Sequence, residues 1–194
     1  MFIRLRKIIQ VFLGTTTIGI GISLNYIADL GLGPWGVFHD GLSKTIGLPY
    51  GRTIIFTGFV VMVFWIPLKQ KPGLGTFVDL IWIGSVADLV IPRFQLSTNT
   101  FQSLVLIFFG ILLIGIGTAV YVGAGLGVGP RDGIMVGFEN RGIKIGTARI
   151  LIELFAFISG WILGGNVGYV TILFVIGIGP VVQLVLPYVD IRNK

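Results

Sequence analysis

Long runs of apolar residues, separated by short polar stretches, dominate this chain. No charged residue occurs from Ile8 to Ala28, from Phe94 to Pro130 or from Leu154 to Val189. About 20 apolar residues are enough for a helix to cross the hydrocarbon core of a bilayer. The runs, bounded by glycine, proline and charge, predict six transmembrane helices at about 8–28, 53–69, 75–92, 102–123, 146–163 and 167–187.

The pattern therefore predicts an all-α fold: a polytopic membrane helical bundle forming a single membrane domain over residues 1–194. Lysine and arginine positions suggest its orientation. If both termini face the cytoplasm, most basic residues lie in cytoplasmic segments and only Lys44, Arg52 and Arg93 remain outside, as the positive-inside rule favours. We expect a multi-pass protein with both termini in the cytoplasm.

The two halves of the chain resemble each other. Repeat 1 covers about 8–93 and repeat 2 about 102–189, and each contains three predicted spans. Because three is odd, the two repeats must lie in opposite orientations in the membrane, an arrangement common among secondary transporters. The aligned pairs include Gly14 with Gly110, Gly19 with Gly115, Gly21 with Gly117, Gly51 with Gly146, Gly84 with Gly179 and Asp88 with Gln183.

Each repeat carries a glycine-proline element between its first and second spans. Gly33-Pro34 occupies this place in the first half, and Gly129-Pro130-Arg131-Asp132 in the second. Proline suits the first turn of a helix, so each element predicts the start of a short helix that is either re-entrant or interfacial. A re-entrant helix would point its free N–H groups and positive dipole end into a cavity, which favours an anionic substrate.

Charged residues within apolar spans are expensive in a membrane and are therefore candidates for function. Arg149 and Glu153 are four residues apart on one helix face, which predicts an ion pair, either structural or functional. Asp88 is a coupling or ligand candidate, with an interfacial carboxylate as the alternative. Asp79 indicates an interfacial charge at a helix start. The predicted substrate-binding or gating residues are Gly33, Pro34, Asp88, Gly129, Pro130, Arg131, Asp132, Arg149 and Glu153.

Composition removes several classes of function. Hydrophobic residues make up 54% of the chain and charged residues 11%, which is typical of a membrane protein. There is no cysteine and only one histidine, His39, so thiol catalysis, disulfides and a histidine-cysteine metal site are excluded. No nucleotide-binding or hydrolase motif occurs. We therefore expect no enzymatic activity, no cofactor and no metal. We also expect no nucleic-acid partner, because the positions of the basic residues in the membrane topology explain the net charge of +6.

The glycine-proline elements, the string Gly129-Pro130-Arg131-Asp132-Gly133, the later Glu153 and the turn Gly164-Gly165-x-x-Gly168 resemble the YczE-like membrane proteins of the YczE/YyaS/YitT group. The resemblance covers nearly the whole chain. It implies a bacterial cytoplasmic-membrane protein but supplies no substrate and no catalytic residues. The first repeat has Pro34-Trp35 where the second has Pro130-Arg131, so any site shared by the repeats is expected to be asymmetric.

Three functions fit the sequence. The predicted inverted repeat favours a small-molecule permease or secondary transporter embedded in the lipid bilayer. The alternatives are a substrate-binding subunit of a larger uptake complex and a non-transporting membrane scaffold or regulatory protein, in which polar pairs only hold helices together. A second copy of the chain or another membrane protein as partner is compatible with each function.

Overall fold

The protein is described by a computed structural model that covers residues 2–192. Over this range the chain forms helices and contains no strand, which confirms the predicted all-α class. Met1, Asn193 and Lys194, which the single-domain prediction includes, lie outside the described residues. The helices are α1 (Phe2–Ala28), α2 (Pro34–Ile46), α3 (Tyr50–Val63), α4 (Trp65–Leu68), α5 (Leu74–Val90), α6 (Thr100–Gly123), α7 (Pro130–Glu139), α8 (Ile145–Ile162) and α9 (Val170–Val189), with a 3-10 turn at Ile91–Arg93.

Five of the described helices, α1, α5, α6, α8 and α9, are long and apolar enough to cross a membrane. A sixth span is obtained if α2 and α3, which are bent by 106° relative to each other, count as one. The predicted second span at about 53–69 corresponds to α3 followed by α4, with a break at Phe64. Pro67 favours this break because it has no N–H and its ring crowds the carbonyl four residues earlier. The count of six stays a prediction.

The centre of the bundle is the crossing of α1 and α6, the most extensively packed helix pair. Glycines allow the two backbones to touch. A side-chain carbon at Gly14 would lie 2.7 Å from the carbonyl oxygen of Gly117, and one at Gly21 would lie 2.7 Å from that of Gly110. Such close approach of backbones is the usual role of small residues between membrane helices, because it increases dispersion contacts.

The outer helices pack unequally around this centre. Helix α5 packs against both α1 and α3, whereas α9 packs against α6 and α8 packs against α2 and α7. At Gly84 in α5, a side-chain carbon would run into the carbonyl oxygen of Gly51 at the start of α3. The aligned residues of the second half, Gly146 in α8 and Gly179 in α9, have open space around them. In the described part of the chain, α3 and α5 are therefore in contact where α8 and α9 stand apart.

The two glycine-proline elements begin the short helices α2 and α7, as predicted. Gly33 and Gly129 have nearly the same backbone conformation, with φ −64° at both positions and ψ of 165° and 159°. Each element is held by a threonine hydroxyl from the opposite half of the chain. Thr171 donates to the Leu32 carbonyl at 2.7 Å, and Thr76 donates to the Val128 carbonyl at 2.8 Å.

Helix α8 is attached to α2 by close packing and by a buried carboxylate. A side-chain carbon at Gly41 would lie 2.6 Å from the Gly160 carbonyl oxygen. Asp40 is 2% exposed and accepts hydrogen bonds from the Asn166 backbone N–H at 2.8 Å and from Lys44 Nζ at 2.7 Å. Because Asn166 lies in the loop after α8, these contacts hold the end of α8 on α2 rather than on α9.

The beginning of α1 and the end of α9 lie together at one end of the bundle. Gln10 donates through Nε2 to the Val189 carbonyl at 2.7 Å, and Lys7 Nζ donates to the Arg192 carbonyl at 3.1 Å. The described chain therefore starts and ends on the same side of the bundle.

Candidate functional site

A cavity of about 360 Å³ lies between the two halves of the chain. Both glycine-proline elements border it, through Gly33 and Pro34 on one side and Pro130 on the other. Pockets for small molecules commonly occupy 300–1,000 Å³ and are apolar with a few polar groups. This cavity follows that pattern, since isoleucine, valine and leucine side chains alternate with five charged residues: Asp79, Arg131, Asp132, Arg149 and Glu153.

The start of α7 supplies the central charges of the cavity. Pro130 occupies the first turn of the helix, and Arg131 and Asp132 follow in that turn, where the Cα–Cβ bonds tilt toward the helix N-terminus. Both residues are exposed to the cavity. The guanidinium carbon of Arg131 lies 5.6 Å from the centre of the Trp35 ring, within the range of a cation–π interaction. Arg131 thus connects the start of α7 with the start of α2.

Asp79 lies at the N-terminus of α7, although it belongs to α5. A side-chain carbon at Gly129 would lie 3.2 Å from both carboxylate oxygens of Asp79. A negative charge at this place is stabilised by the positive end of the helix dipole. Within residues 2–192, the carboxylate makes no hydrogen bond and no ion pair within 4.0 Å, although it interacts electrostatically with Arg131 and Asp132.

The start of α2 has a different neighbour. Gly33 lies directly against the ring of Phe174 from α9, with no room for a side chain between them. Phe174 occupies the place in the second half that aligns with Asp79 in the first, given the register of Gly84 with Gly179. One helix start therefore faces a carboxylate and the other an aromatic ring, a second difference between the halves besides that of Trp35 and Arg131.

Aromatic side chains form the wall of the cavity near α2. The His39 ring lies 6.0 Å from the Trp35 ring and 6.2 Å from the Tyr50 ring, measured between centroids. Tyr50 in turn lies 4.5 Å from Tyr26. Ring pairs at such separations attract each other and hold one another in place. His39 is 8% exposed and has no carboxylate or histidine partner that would make a metal site in the described residues.

Buried polar atoms without a hydrogen-bond partner are concentrated around this cavity. Among the described residues they are Nδ2 and Oδ1 of Asn25, Nε1 of Trp35, Oγ1 of Thr57 and the hydroxyl of Tyr121. All four residues border the cavity. More than nine in ten buried polar groups in proteins have a partner, so a cluster of unpaired ones in residues around a single cavity is unusual and makes the cavity a candidate site.

Arg149 and Glu153 form the predicted ion pair, with 3.0 Å between Nε and Oε1. Both residues border the cavity where α8 stands apart from α9. The side chain of Glu153 is 22% exposed and that of Arg149 is 58% exposed. The pair therefore lies at the edge of the cavity rather than in the packed interior of the bundle.

Two of the predicted site residues do not border the cavity. Gly129 lies just behind it as the N-cap of α7. Asp88 lies at the end of α5, where its carboxylate accepts hydrogen bonds from the backbone N–H groups of Gly51 at 2.6 Å and Arg52 at 3.0 Å. Arg52 Nε also approaches it at 3.8 Å. Asp88 thus caps the N-terminus of α3.

Asp79 and the unpaired polar residues are the site residues that the sequence did not identify. Asp79 was expected to be an interfacial charge because it lies near the start of a predicted span, yet it borders the cavity. The repeat aligns Asp79 with Phe174. A carboxylate in one half at the position of a phenyl ring in the other is the sequence signal that could have identified Asp79.

Comparison with known proteins identifies relatives along almost the whole chain. A model described as a family of unknown function (DUF6198) matches residues 5–187. An uncharacterized protein of Haemophilus influenzae is 37% identical over 93% of this chain and 84% of its own length. The uncharacterized membrane protein YczE of Bacillus subtilis is 34% identical over 91% and 83%, and the uncharacterized protein YyaS of that organism is 26% identical over 92% and 91%. These relatives confirm the resemblance to YczE-like membrane proteins. No solved structure matches.

Proposed function

The chain belongs to the DUF6198 family of YczE-like membrane proteins, and on that premise we propose that it is a small-molecule permease of the bacterial cytoplasmic membrane. Its substrate binds in the cavity between the two halves. The observation that carries the proposal is the set of unpaired polar atoms, because the four residues that carry them border a cavity that the starts of both glycine-proline helices also border. A scaffold that used polar groups only for helix packing would pair them with each other.

Contacts that repeat between the halves support an inverted three-helix repeat. Gly14 contacts Gly117, and exchanging each residue for its aligned counterpart gives the second contact, Gly21 with Gly110. The contact of Gly19 with Val86 reappears in the same way as that of Gly115 with Val181. The threonine hydrogen bonds to the two glycine-proline loops are likewise exchanged. Reciprocal contacts of this kind are expected when a two-fold axis relates the halves.

The unequal packing of the outer helices supports alternating access. Gly51 and Asp88 close α3 against α5 at one end of the bundle. Their counterparts Gly146 and Gln183 lie at the opposite end, where α8 and α9 stand apart. With the termini in the cytoplasm, this conformation opens toward the cytoplasm. The opposite conformation brings α8 onto α9 and releases α3 from α5, so that the two halves exchange their packing.

The absence of cysteine from the sequence allows a direct test of this cycle. Gly146→Cys and Gly179→Cys place one thiol on each side of the gap, and a Cβ at either position meets no atom outside its chain neighbours and its own helix. A third cysteine at Thr118, which borders the cavity, reports access for a membrane-impermeant thiol reagent. We expect this third cysteine to react from both sides of the membrane, in right-side-out and in inverted vesicles.

Oxidation should cross-link the two glycine positions when α8 reaches α9, since a disulfide requires Cα atoms about 4.4–6.8 Å apart. The cross-link should then abolish labelling from the cytoplasmic side and preserve labelling from outside. The matched control combines Gly146→Cys with Leu173→Cys, which lies about 9 Å farther along α9 at 1.5 Å per residue and should not cross-link.

Labelling of Thr118→Cys from one side only, or labelling that the cross-link leaves unchanged, would contradict the permease. Stable co-purification with an ATPase would instead assign the chain to a larger uptake complex.

A further inference from the structure

We infer that the cavity binds a zwitterionic small molecule of amino-acid size, with its carboxylate at Arg131 and its ammonium group at Asp79. The inference rests on the proposed function in that the same cavity is taken as the transport site. The two helix starts alone predict an anionic substrate. The carboxylate of Asp79 at the start of α7 adds a place for a positive charge on the same molecule.

Arg131 is a cation with no carboxylate in direct contact within the described chain. It makes no ion pair within 4.0 Å and no hydrogen bond; it lies over the face of Trp35 and interacts with Asp79 only through the longer-range electrostatic field. A guanidinium group offers five N–H donors in a planar fork that matches a carboxylate with two parallel hydrogen bonds. Its exposure to the cavity leaves this fork available for a ligand.

Asp79 is the complementary anion. Its carboxylate borders the same cavity and has no hydrogen-bond donor among residues 2–192. Asp132, which also borders the cavity, adds a second acidic group beside it. A ligand carrying only negative charge would meet both carboxylates, and one carrying only positive charge would meet Arg131 and Arg149. A molecule with both charges satisfies each group.

The remainder of the cavity suits an uncharged side chain on such a molecule. Trp35, Tyr50 and Phe174 supply aromatic surface for an apolar group. Trp35 and Asn25, which is 2% exposed, also border the cavity, and each carries a buried polar group with no partner among the described residues. These buried polar groups are independent of the two charges and also indicate a polar ligand.

Two matched sets of probes test the inference with the purified full-length protein. Each set contains a zwitterion, the same molecule without its amine and the same molecule without its carboxylate. The first set is L-phenylalanine, 3-phenylpropionate and phenethylamine, and the second is L-leucine, 4-methylpentanoate and 3-methylbutylamine. Binding is measured by equilibrium dialysis and by the shift in unfolding temperature. We expect at least one zwitterion to bind at least tenfold more tightly than both of its analogues.

Variants connect each charge with one end of the ligand. Arg131→Gln should weaken zwitterion binding at least tenfold and remove its advantage over the amine. Asp79→Asn should weaken it similarly and remove its advantage over the carboxylate, whose own binding should persist or improve. That retained binding distinguishes a changed site from a misfolded protein. The matched controls are Arg93→Gln and Glu139→Gln, which remove exposed charges outside the cavity and should change no affinity.

The inference is overturned if neither zwitterion binds, or if an analogue with one charge binds as tightly as its zwitterion. Uptake of the same radiolabelled probes into proteoliposomes tests the permease function separately from the inferred ligand class. Zwitterion binding without uptake would contradict the permease and leave the binding site in place. Uptake of a single-charge analogue, with the zwitterion excluded, would support the permease and contradict the inferred ligand class.

Discussion

Replacing Gly84 and Gly179 by alanine, in separate variants, tests the unequal packing of the two halves. The two glycines align in the repeat, and each lies inside a long helix. At Gly84 a side-chain carbon would run into the Gly51 carbonyl oxygen and lie 2.6 Å from Cγ1 of Ile55. At Gly179 no atom outside its two chain neighbours and the nearby α9 backbone lies within 4 Å of the added carbon. The same chemical change therefore meets a packed contact at one position and open space at the other.

The expected magnitude follows from the difference between the two variants. Carbon atoms normally pack about 3.5–4.0 Å apart, so Gly84→Ala requires α5 to move away from α3 by about 1 Å. Overpacking of this kind costs about 1–3 kcal/mol. The gain in helix propensity from glycine to alanine, up to about 1 kcal/mol, applies at Gly84, whereas at Gly179 it is reduced because the ring of the following Pro180 crowds a side chain on the residue before it. Gly84→Ala should thus be about 1–2 kcal/mol less stable than Gly179→Ala.

Equilibrium unfolding in mixed detergent micelles, followed by tryptophan fluorescence, measures this difference. Gly179→Ala should lie within about 0.5 kcal/mol of the unsubstituted protein. Equal free energies of unfolding for the two variants would refute the reasoning, since α8 and α9 would then pack as closely as α3 and α5. A Gly179→Ala variant that is less stable than Gly84→Ala would contradict the reasoning more strongly.

Three further substitutions test contacts elsewhere in the bundle. Asp88→Ala should reduce the free energy of unfolding by about 1–2 kcal/mol, because the first N–H groups of α3 lose the carboxylate that accepts their hydrogen bonds. The aligned Gln183→Ala should change it by less than about 0.5 kcal/mol in the same micelle assay. Trp65→Phe should cost about 1–3 kcal/mol, since it leaves the buried carbonyl of Pro130 without its donor at 2.9 Å; unchanged stability would show that water replaces the bond. Arg141→Lys should lower the unfolding temperature nearly as much as Arg141→Ala, because the guanidinium group contacts three backbone carbonyls at once, and full rescue by lysine would argue that only charge matters.

Much of the fold could be predicted from the sequence because apolar length and glycine-proline punctuation act locally. The five long helices and the short helices beginning at Pro34 and Pro130 lie close to the predicted positions. The pairing of Arg149 with Glu153 follows from their spacing on one helix. These features depend on residues that are near each other in the chain, so no knowledge of helix packing was needed. The inverted repeat and the six spans stay predictions.

The arrangement of the site depended on distant residues and was only partly predictable. Asp79 and Gly129 belong to different halves, and their proximity results from the crossing of α1 and α6 and the register of α5 against α7. The separation of α8 from α9 likewise has no local signal. The aligned pairs Gly51–Gly84 and Gly146–Gly179 would make the same close contact in each half, but only the first pair is in contact.

Asymmetry between aligned positions gives the two halves different roles in the proposed cycle. In the first half, Asp88 holds α3 on α5 with a carboxylate at a helix N-terminus, which is stronger than a neutral cap. The second half has the neutral Gln183 at that place, so closure of α8 on α9 should be less stable on its own. Glu153 of α8 and Phe174 of α9 border the same cavity as Arg131 and Asp79, so a ligand that binds more tightly when α8 and α9 close around it would supply the missing stabilisation. Substrate binding would then favour closure of the weaker half, which is the coupling that a permease requires.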